Sequence, residues 1–156
     1  MQRSLVSLAA GLAVALAAAQ AAALDRAELK VKGEQAIAIL QDEGLTAGAE
    51  YLADPANGLV DLQGTGLHIW SVTRAGIVNF DVSGQLLPGM DISGLADTRG
   101  SGVVADVVAA PETNGGYLAY ANDWPHPTTN AIGPSLLWCG AMDAQSMVCA
   151  QAWIDG

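Results

Sequence analysis

Residues 116–138 have the sequence Gly116-Tyr-Leu-Ala-Tyr-Ala-Asn-Asp-Trp-Pro-His-Pro-Thr-Thr-Asn-Ala-Ile-Gly-Pro-Ser-Leu-Leu-Trp138. They contain four of the eight aromatic residues of the chain and one of its two histidines. The pattern predicts a strand over residues 117–121, then a polar loop stiffened by three prolines, then a second strand. Aromatic rings beside such a loop favour a small-molecule pocket. The alternative is that these rings fill the core, as large aromatic residues commonly do.

Four further runs of apolar and β-branched residues predict the rest of a sheet. Residues 67–73 and 77–82 form one hairpin around Arg74-Ala-Gly76, and residues 135–142 and 147–154 form a second. We therefore expect five antiparallel strands.

Alternation along the first of these strands sorts its side chains between two faces. His68, Trp70 and Val72 share one face, and Arg74 continues the same parity at the end of the strand. Arg74 is therefore a candidate contact for an anionic ligand that lies over the aromatic ring. The alternative is that Arg74 is a solvated turn residue.

A long N-terminal helix is predicted over residues 24–43. Asp25 and Glu28 form a capping-box pattern at its start, and Gly44 is placed for a C-terminal cap. Apolar and small residues, among them Leu40, recur at the spacing of one helix face. We expect that face to pack against the sheet.

Two shorter helices complete the predicted elements. Thr46 is the predicted N-cap of a helix over residues 47–53. Another helix is predicted over residues 103–110 and ends before Pro111. Two hairpins on either side of a loop with a helix predict a single α+β domain.

Cys139 and Cys149 are the only cysteines of the chain. They flank a predicted turn, and folding about this turn places them nearly opposite each other on neighbouring strands. An exported protein meets an oxidising compartment, so a structural disulfide is the favoured state, with two buried thiols as the alternative.

Residues 1–23 have the pattern of a secretory signal peptide. Arg3 precedes an apolar run over residues 5–19, and alanines follow at the positions of an A-x-A cleavage site. A membrane anchor is the alternative, but the run is mostly alanine and its insertion is weakly favourable. Cleavage leaves residues 24–156 as one domain. Loss of Arg3 leaves 5 basic against 16 acidic residues, a net charge of −11, which disfavours nucleic acid and anionic lipid as partners.

The chain lacks the patterns that are typical of enzymes and metal proteins. Its serines have no partner that would make one of them a nucleophile, and His68, His126 and the scattered aspartates lack the spacing of metal ligands. We therefore expect no catalytic activity, no metal and no cofactor.

Eight short segments, in their order and spacing, resemble an extracytoplasmic single Cache sensor domain. They are residues 36–44, 53–58, 68–78, 87–92, 97–100, 115–120, 134–138 and 153–155. The resemblance implies a long N-terminal helix packed on a five-stranded antiparallel PAS-like sheet. It also implies a pocket between sheet and loops that binds a small metabolite, often an organic acid or an amino acid, without performing a reaction.

The resemblance also suggests which residues contact the ligand. Aromatic rings would line the pocket, polar side chains would bind the ligand, and Arg99 would be a second candidate cation. The rings are Trp70, Tyr117, Tyr120 and Trp138, and the polar side chains are His68, Arg74, Asn122 and His126. The family usually has a lysine after the proline of the fourth strand, where this chain has Ser135, so a carboxylate clamp through that lysine is absent.

These observations lead to two hypotheses for an exported protein, periplasmic or secreted. The first is a stand-alone Cache-like domain that binds a small organic metabolite for sensing. The second is an interaction module with a vestigial pocket, which docks onto a membrane sensor or another exported protein.

The signal peptide leads to the first prediction. When the chain is expressed with export, the mature protein should begin between Ala22 and Asp25. Intact mass and N-terminal sequencing of the exported protein measure this directly. A mature chain that still begins at Met1 would contradict the prediction.

Overall fold

The computed structural model describes residues 24–154, so the predicted signal peptide lies outside the described residues. This part of the chain forms three α-helices, a short 3-10 turn after the second helix, and five strands. In chain order they are α1 (Arg26–Glu43), α2 (Leu45–Ala53), the 3-10 turn (Pro55–Asn57), β1 (His68–Thr73), β2 (Val78–Asp81), α3 (Val103–Thr113), β3 (Tyr117–Pro125), β4 (Ile132–Ala141) and β5 (Ser146–Trp153). The strands form one antiparallel sheet in the order β2-β1-β5-β4-β3.

The long helix α1 has the ends that its sequence predicts. The side chain of Asp25 accepts a hydrogen bond of 2.7 Å from the backbone N–H of Glu28. Gly44 has a φ of 83° and donates its N–H to the carbonyl of Leu40, and this positive φ favours glycine. The predicted α+β fold, with a long helix packed on five antiparallel strands, is confirmed. Among residues 24–154, no helix combines the length and apolar character needed to cross a bilayer.

Two helix boundaries differ from the sequence prediction. Gly44, not Thr46, is the N-cap of α2, because the chain turns between α1 and α2 within that single residue. The third helix does not stop before Pro111 but continues to Thr113. A proline in the last helical turn removes only one backbone hydrogen bond, which the helix end tolerates.

The proline-rich loop is shorter than the sequence predicts, because the residues on both of its sides pair with each other as parts of β3 and β4. Trp124 lies opposite Gly133 and Pro125 opposite Ile132, after an irregularity in the register that follows Tyr120. β3 is an edge strand, where the missing N–H of a proline breaks no ladder hydrogen bond.

Both faces of the sheet are covered, and every residue of β5 is buried. One face of the sheet packs against α1 and is called the α1 face; the opposite face packs against α3 and is called the α3 face. Core side chains on the α1 face include Leu67, Ile69, Trp138, Val148, Ala150 and Ala152. Those on the α3 face include Trp70, Val72, Tyr120, Leu137, Met147 and Cys149.

The predicted disulfide is present in the described chain. Cys139 of β4 lies directly opposite Cys149 of β5, with 4.1 Å between their Cα atoms, and both residues are fully buried. The bond joins the two strands beneath α3. It therefore fixes the register of the hairpin that carries much of the α3 face.

The contact between α1 and the sheet leads to the second prediction. A Cβ added at Gly33 would clash with the ring of Trp138. Gly33→Ala should lower the free energy of unfolding by about 1–3 kcal/mol, because the added methyl group overpacks this contact. The higher helix propensity of alanine, about 1 kcal/mol, acts in the opposite direction. Urea unfolding measures this change.

Gln35→Ala is the matched control, because Gln35 lies exposed on the same helix. It should change the free energy of unfolding by less than about 0.5 kcal/mol. A stabilising effect of Gly33→Ala would show that α1 does not pack closely on Trp138.

Candidate functional site

The predicted aromatic residues do not surround one pocket. Tyr117 and Trp138 lie opposite each other on the α1 face, whereas Trp70 and Tyr120 lie on the α3 face. Tyr117 and Tyr120 are three residues apart in one strand, and strand alternation sends them to opposite faces. The proposed pocket of four rings is therefore wrong, and the two faces must be considered separately.

On the α1 face, both rings have structural partners. The hydroxyl of Tyr117 donates a hydrogen bond of 2.8 Å to the carbonyl of Arg26, whose guanidinium lies 4.4 Å from the centre of the ring. Nε1 of Trp138 donates to the carbonyl of Gly115 at 3.1 Å. These contacts fix α1 and the turn before β3 against the sheet.

On the α3 face, a small inner cavity lies over β1 and β2. It has a volume of about 10 Å³, which is room for about one water molecule. The inner cavity is lined by His68, Trp70, Asp81, Gln85, Leu86, Trp124 and Gln151. No metabolite fits this space unless its walls move.

A chain of hydrogen bonds crosses the floor of the inner cavity. Nε1 of Trp70 donates to Oε1 of Gln151 at 3.1 Å, and Nε2 of Gln151 donates to Oγ of Ser135 at 3.2 Å. All three residues are buried. Since Oγ of Ser135 accepts in this chain, its own O–H is available to a further acceptor.

His68 contributes a neutral, tautomer-fixed ring to the inner cavity. Its Nδ1 lies 2.9 Å from the carbonyl of Gly66, which can only accept, so Nδ1 carries the proton. Burial lowers the pKa of His68, and the nearby carboxylate of Asp81 offsets this only in part. The ring stacks on Trp153, with 5.7 Å between the centroids.

A larger outer concavity lies at the edge of the sheet formed by β3, next to β4. It has a volume of about 290 Å³, at the lower end of small-molecule sites. The outer concavity is lined by Thr98, Arg99, Ala119, Tyr120, Ala121, Asp123, Pro134, Ser135 and Ile154. Edge-to-face packing of Tyr120 on Trp124, with centroids 6.1 Å apart, links the outer concavity to the inner cavity.

The hydroxyl of Tyr120 is the unusual group of the outer concavity. Tyr120 is only 2% exposed, and its hydroxyl has no hydrogen-bond partner. Burial raises the pKa of Tyr120, and the negative charges of Asp106 and Asp97 act in the same direction. The hydroxyl therefore stays protonated and is a donor without an acceptor.

The cation of the outer concavity is Arg99, which is held in place by its neighbour Asp97. Nε of Arg99 donates to Oδ2 of Asp97 at 2.7 Å, and Nη2 contacts the same oxygen. The hydrogen bond and charge of Asp97 raise the pKa of Arg99. The side chain of Arg99 is 66% exposed, so the remaining N–H groups of its guanidinium can reach a ligand.

Three of the predicted polar contacts lie outside both spaces. Arg74 is exposed in the turn after β1, and its backbone N–H donates to the carbonyl of Gln145. Asn122 is exposed on the edge strand. His126 is buried against Trp153, with the ring centroids 5.4 Å apart. Of the two candidate cations, only Arg99 lines the outer concavity.

Sequence reasoning missed Ser135, Asp123 and Gln151 as site residues. The resemblance singles out Ser135 only as a departure from the family lysine, although its pairing with Tyr120 places both residues on one face. The signal that was available is the parity of β4, which groups Ser135 with Leu137 and Cys139. Among residues 24–154, no group of three His, Cys, Asp or Glu side chains is arranged to bind a metal ion.

No family model matches the chain, and no curated protein is similar to it in sequence. Three solved structures share its fold. A methyl-accepting chemotaxis protein from Vibrio parahaemolyticus RIMD 2210633 has a TM-score of 0.66 at 20% identity, covering 83% of this chain and 88% of that chain. The periplasmic sensor domain of a chemotaxis protein has a TM-score of 0.65 at 19% identity, with 83% and 94% covered.

The third structure is a Cache chemosensory domain, described in terms of carboxylic acid recognition. Its TM-score is 0.66 at 17% identity, and 83% of this chain and 92% of that chain are covered. The first neighbour is described as a chemotaxis protein, and the other two are described as sensory domains. The chain therefore has the PAS-like fold of extracytoplasmic Cache sensor domains, as its sequence resemblance implies.

The unpartnered hydroxyl leads to the third prediction. A buried polar group without a partner destabilises the folded state by about 1–3 kcal/mol. Tyr120→Phe should therefore leave the free energy of unfolding unchanged or raise it, as measured by urea unfolding in ligand-free buffer.

Ser71→Ala is the comparison, because the buried hydroxyl of Ser71 donates to the carbonyl of Met147 and accepts from Asn79. Its loss should destabilise the protein by about 1–3 kcal/mol. A similar loss in Tyr120→Phe would mean that the hydroxyl of Tyr120 has a partner within the protein.

Proposed function

We propose that this protein is an extracytoplasmic sensor domain that binds a small carboxylate-bearing metabolite, non-covalently, in the outer concavity. The observation that carries the proposal is that Tyr120, which lines that concavity, has a buried hydroxyl without a hydrogen-bond partner among the described residues. A carboxylate oxygen is the acceptor that this donor lacks. Binding would convert an unfavourable buried group into a charge-assisted hydrogen bond.

Two further donors line the same space. Gln151 donates to Oγ of Ser135, which leaves the hydroxyl proton of Ser135 for the ligand. Arg99 supplies positive charge from the loop that precedes α3. Arg99 thus supplies the positive charge that a lysine at the position of Ser135 supplies in the family that this chain resembles. Tyr120 and Ser135 fix the orientation of the carboxylate.

The neighbours support the same class of ligand and the same compartment. One is described as recognising carboxylic acids, and another as a periplasmic sensor domain. The predicted signal peptide and the disulfide fit an oxidising extracytoplasmic location. We propose a binding function without catalysis, in which the donors of the outer concavity serve recognition.

One observation favours a second candidate, an interaction module with a vestigial pocket. The inner cavity has room for only about one water molecule. Under this alternative, the protein docks onto a membrane sensor or another exported protein and has no small-molecule ligand. The two candidates differ in whether the outer concavity binds a carboxylate.

The fourth prediction tests the proposed function by titration calorimetry with a panel of two- to five-carbon carboxylates. The panel contains monocarboxylates, dicarboxylates and α-amino acids. At least one member should bind, and Tyr120→Phe and Arg99→Gln should each weaken it by about tenfold to a hundredfold, the loss of a hydrogen bond to a charged group.

Arg74→Gln is the matched control, because it removes an arginine that lies in an exposed turn away from the outer concavity. It should leave the affinity unchanged. Absence of binding at millimolar concentration across the panel, or equal losses in the two arginine variants, would contradict the proposal.

A further inference from the structure

The two edges of the sheet differ in how the chain covers them. At the β2 edge, the backbone N–H of Val78 donates to the carbonyl of Met90, and the carbonyl of Val78 accepts from the N–H of Gly89. The loop after β2 therefore pairs with that edge. At the β3 edge, no other strand or loop of residues 24–154 pairs with the outer side of the strand. An unpaired edge of this kind is a template for a further strand.

Ala119 lies at the middle of the regular part of this edge, residues 117–121. The N–H of Cys139 donates to the carbonyl of Gly116, and the alternation of an antiparallel ladder from this bond directs the N–H and C=O of Ala119 away from β4. Ala119 and Ala121 are exposed, and their small side chains let the backbone of another strand approach. Residues 117–121 include no lysine or proline, the residues that commonly protect an edge. The edge is thus open to pairing.

A groove follows the same edge. Its first part is a concavity of about 700 Å³, lined in part by Arg26, Tyr117 and Ala119. Its second part is the outer concavity, which shares Ala119 and Arg99 with the first part. We call the two parts together the edge groove. It follows β3 from Tyr117 to Asp123, which spans roughly 20 Å in a strand, so it has the length of a strand rather than that of one small ligand.

The two ends of the edge groove carry opposite charges. At one end, the guanidinium of Arg26 lies 4.4 Å from the centre of the Tyr117 ring. At the other end, Asp123 accepts one hydrogen bond, from a backbone N–H to Oδ1, and Oδ2 accepts none from the described residues. A strand that fits the groove must therefore present a negative group to Arg26 and a positive group to Asp123.

The charges between these two ends are compensated within the chain. Arg99 pairs with Asp97. Asp106 accepts hydrogen bonds from the hydroxyl of Ser101 and lies in the first turn of α3, where the partial positive charge of the helix N-terminus offsets its own. Arg26 and Asp123 therefore decide which partner fits.

We infer that the edge groove binds a second copy of this chain, with the two β3 strands antiparallel and the two sheets joined into one. Antiparallel pairing about a two-fold axis near Ala119 brings Arg26 of each copy to Asp123 of the other. The second copy thus supplies both the carboxylate and the cation that the groove requires, and Ala119 of each copy supplies a free N–H and C=O. This inference goes beyond the proposed function and does not rest on its ligand.

The overall charge of the chain opposes this association. Residues 24–156 contain 5 basic and 16 acidic residues, a net charge of −11, so two copies repel each other at long range. At physiological ionic strength the Debye length is about 8 Å, which screens this repulsion more than the contacts within the groove. One strand pair also buries less surface than a stable dimer interface, so we expect a weak dimer that forms between about 10 µM and 1 mM protein.

The fifth prediction tests the pairing by sedimentation velocity of the exported protein across that range, at about 0.15 M salt. The buffer is free of ligand, because Ala119 and Ala121 also line the outer concavity. The wild-type chain should shift from monomer to dimer. Ala119→Pro should weaken dimerisation at least about tenfold, because it removes the free N–H and places a ring on the edge.

Ala119→Ser is the matched control for the proline variant, because it keeps the backbone N–H. It should dimerise as the wild-type chain does. The proline variant should still fold, since the N–H that it lacks makes no bond within its own sheet. Thermal unfolding of both variants checks this.

Charge reversal separates the contact between copies from a merely structural role of the same residues. Arg26→Glu alone and Asp123→Lys alone should each dimerise at least about tenfold more weakly, because like charges then meet at both ends of the groove. An equimolar mixture of the two variants should regain wild-type dimerisation. In the mixed dimer the two reversed charges meet each other, and the unchanged Arg26 and Asp123 meet as before.

Lys30→Glu is the matched control for the charge variants, because it makes the same change of charge at another exposed position of α1. It should change dimerisation by less than about twofold, since a surface charge outside the groove is screened. Thermal unfolding of the three charge variants checks that they fold.

The outcomes decide whether a second copy occupies the edge groove. A wild-type chain that stays monomeric at about 1 mM would overturn the inference and leave the edge to a segment of another protein. Dimerisation that survives Ala119→Pro, or folded charge variants whose mixture does not regain it, would place the contact on another surface and overturn it as well. None of these results depends on the carboxylate titrations, so the proposed function stands or fails separately.

Discussion

The structure depends on the burial of β5 from both sides. Each of its eight residues is buried, and alternation sends successive side chains to the α1 face or the α3 face. The neighbouring strands β1 and β4 take their register from β5 and share this division. Apolar packing against α1 on one face can therefore stabilise the fold, while the other face of the same strands carries polar groups.

The two faces use this division differently. On the α1 face, apolar residues and Trp138 pack on a helix that approaches closely at Gly33. The α3 face also contains buried polar residues, among them Gln151 and Ser135, joined by hydrogen bonds. Such groups destabilise a core unless they are paired, and the Tyr120 hydroxyl is not. A ligand that accepts a hydrogen bond from this hydroxyl would stabilise the folded protein as it binds.

Sequence patterns predicted the helices, the hairpins and the disulfide, because these depend on local periodicity and on pairing about short turns. They did not predict the extent of β3, since pairing with β4 overrides the loop character of Pro125. The separation of Tyr117 from Tyr120 followed from strand parity and could have been predicted. The grouping of Arg99 and Asp123 around Tyr120 could not, because it depends on how the loop before α3 folds back onto an irregular edge strand.

The location of the ligand on the outer concavity is tested most directly by nuclear magnetic resonance of the ¹⁵N-labelled protein, titrated separately with alanine and with propionate. The account predicts that the largest chemical-shift changes fall on the backbone amides of Thr98, Arg99, Tyr120 and Ser135, while the indole N–H of Trp138 on the opposite face stays unchanged. The largest changes at Trp138 and along α1, or no change with either compound, would contradict it.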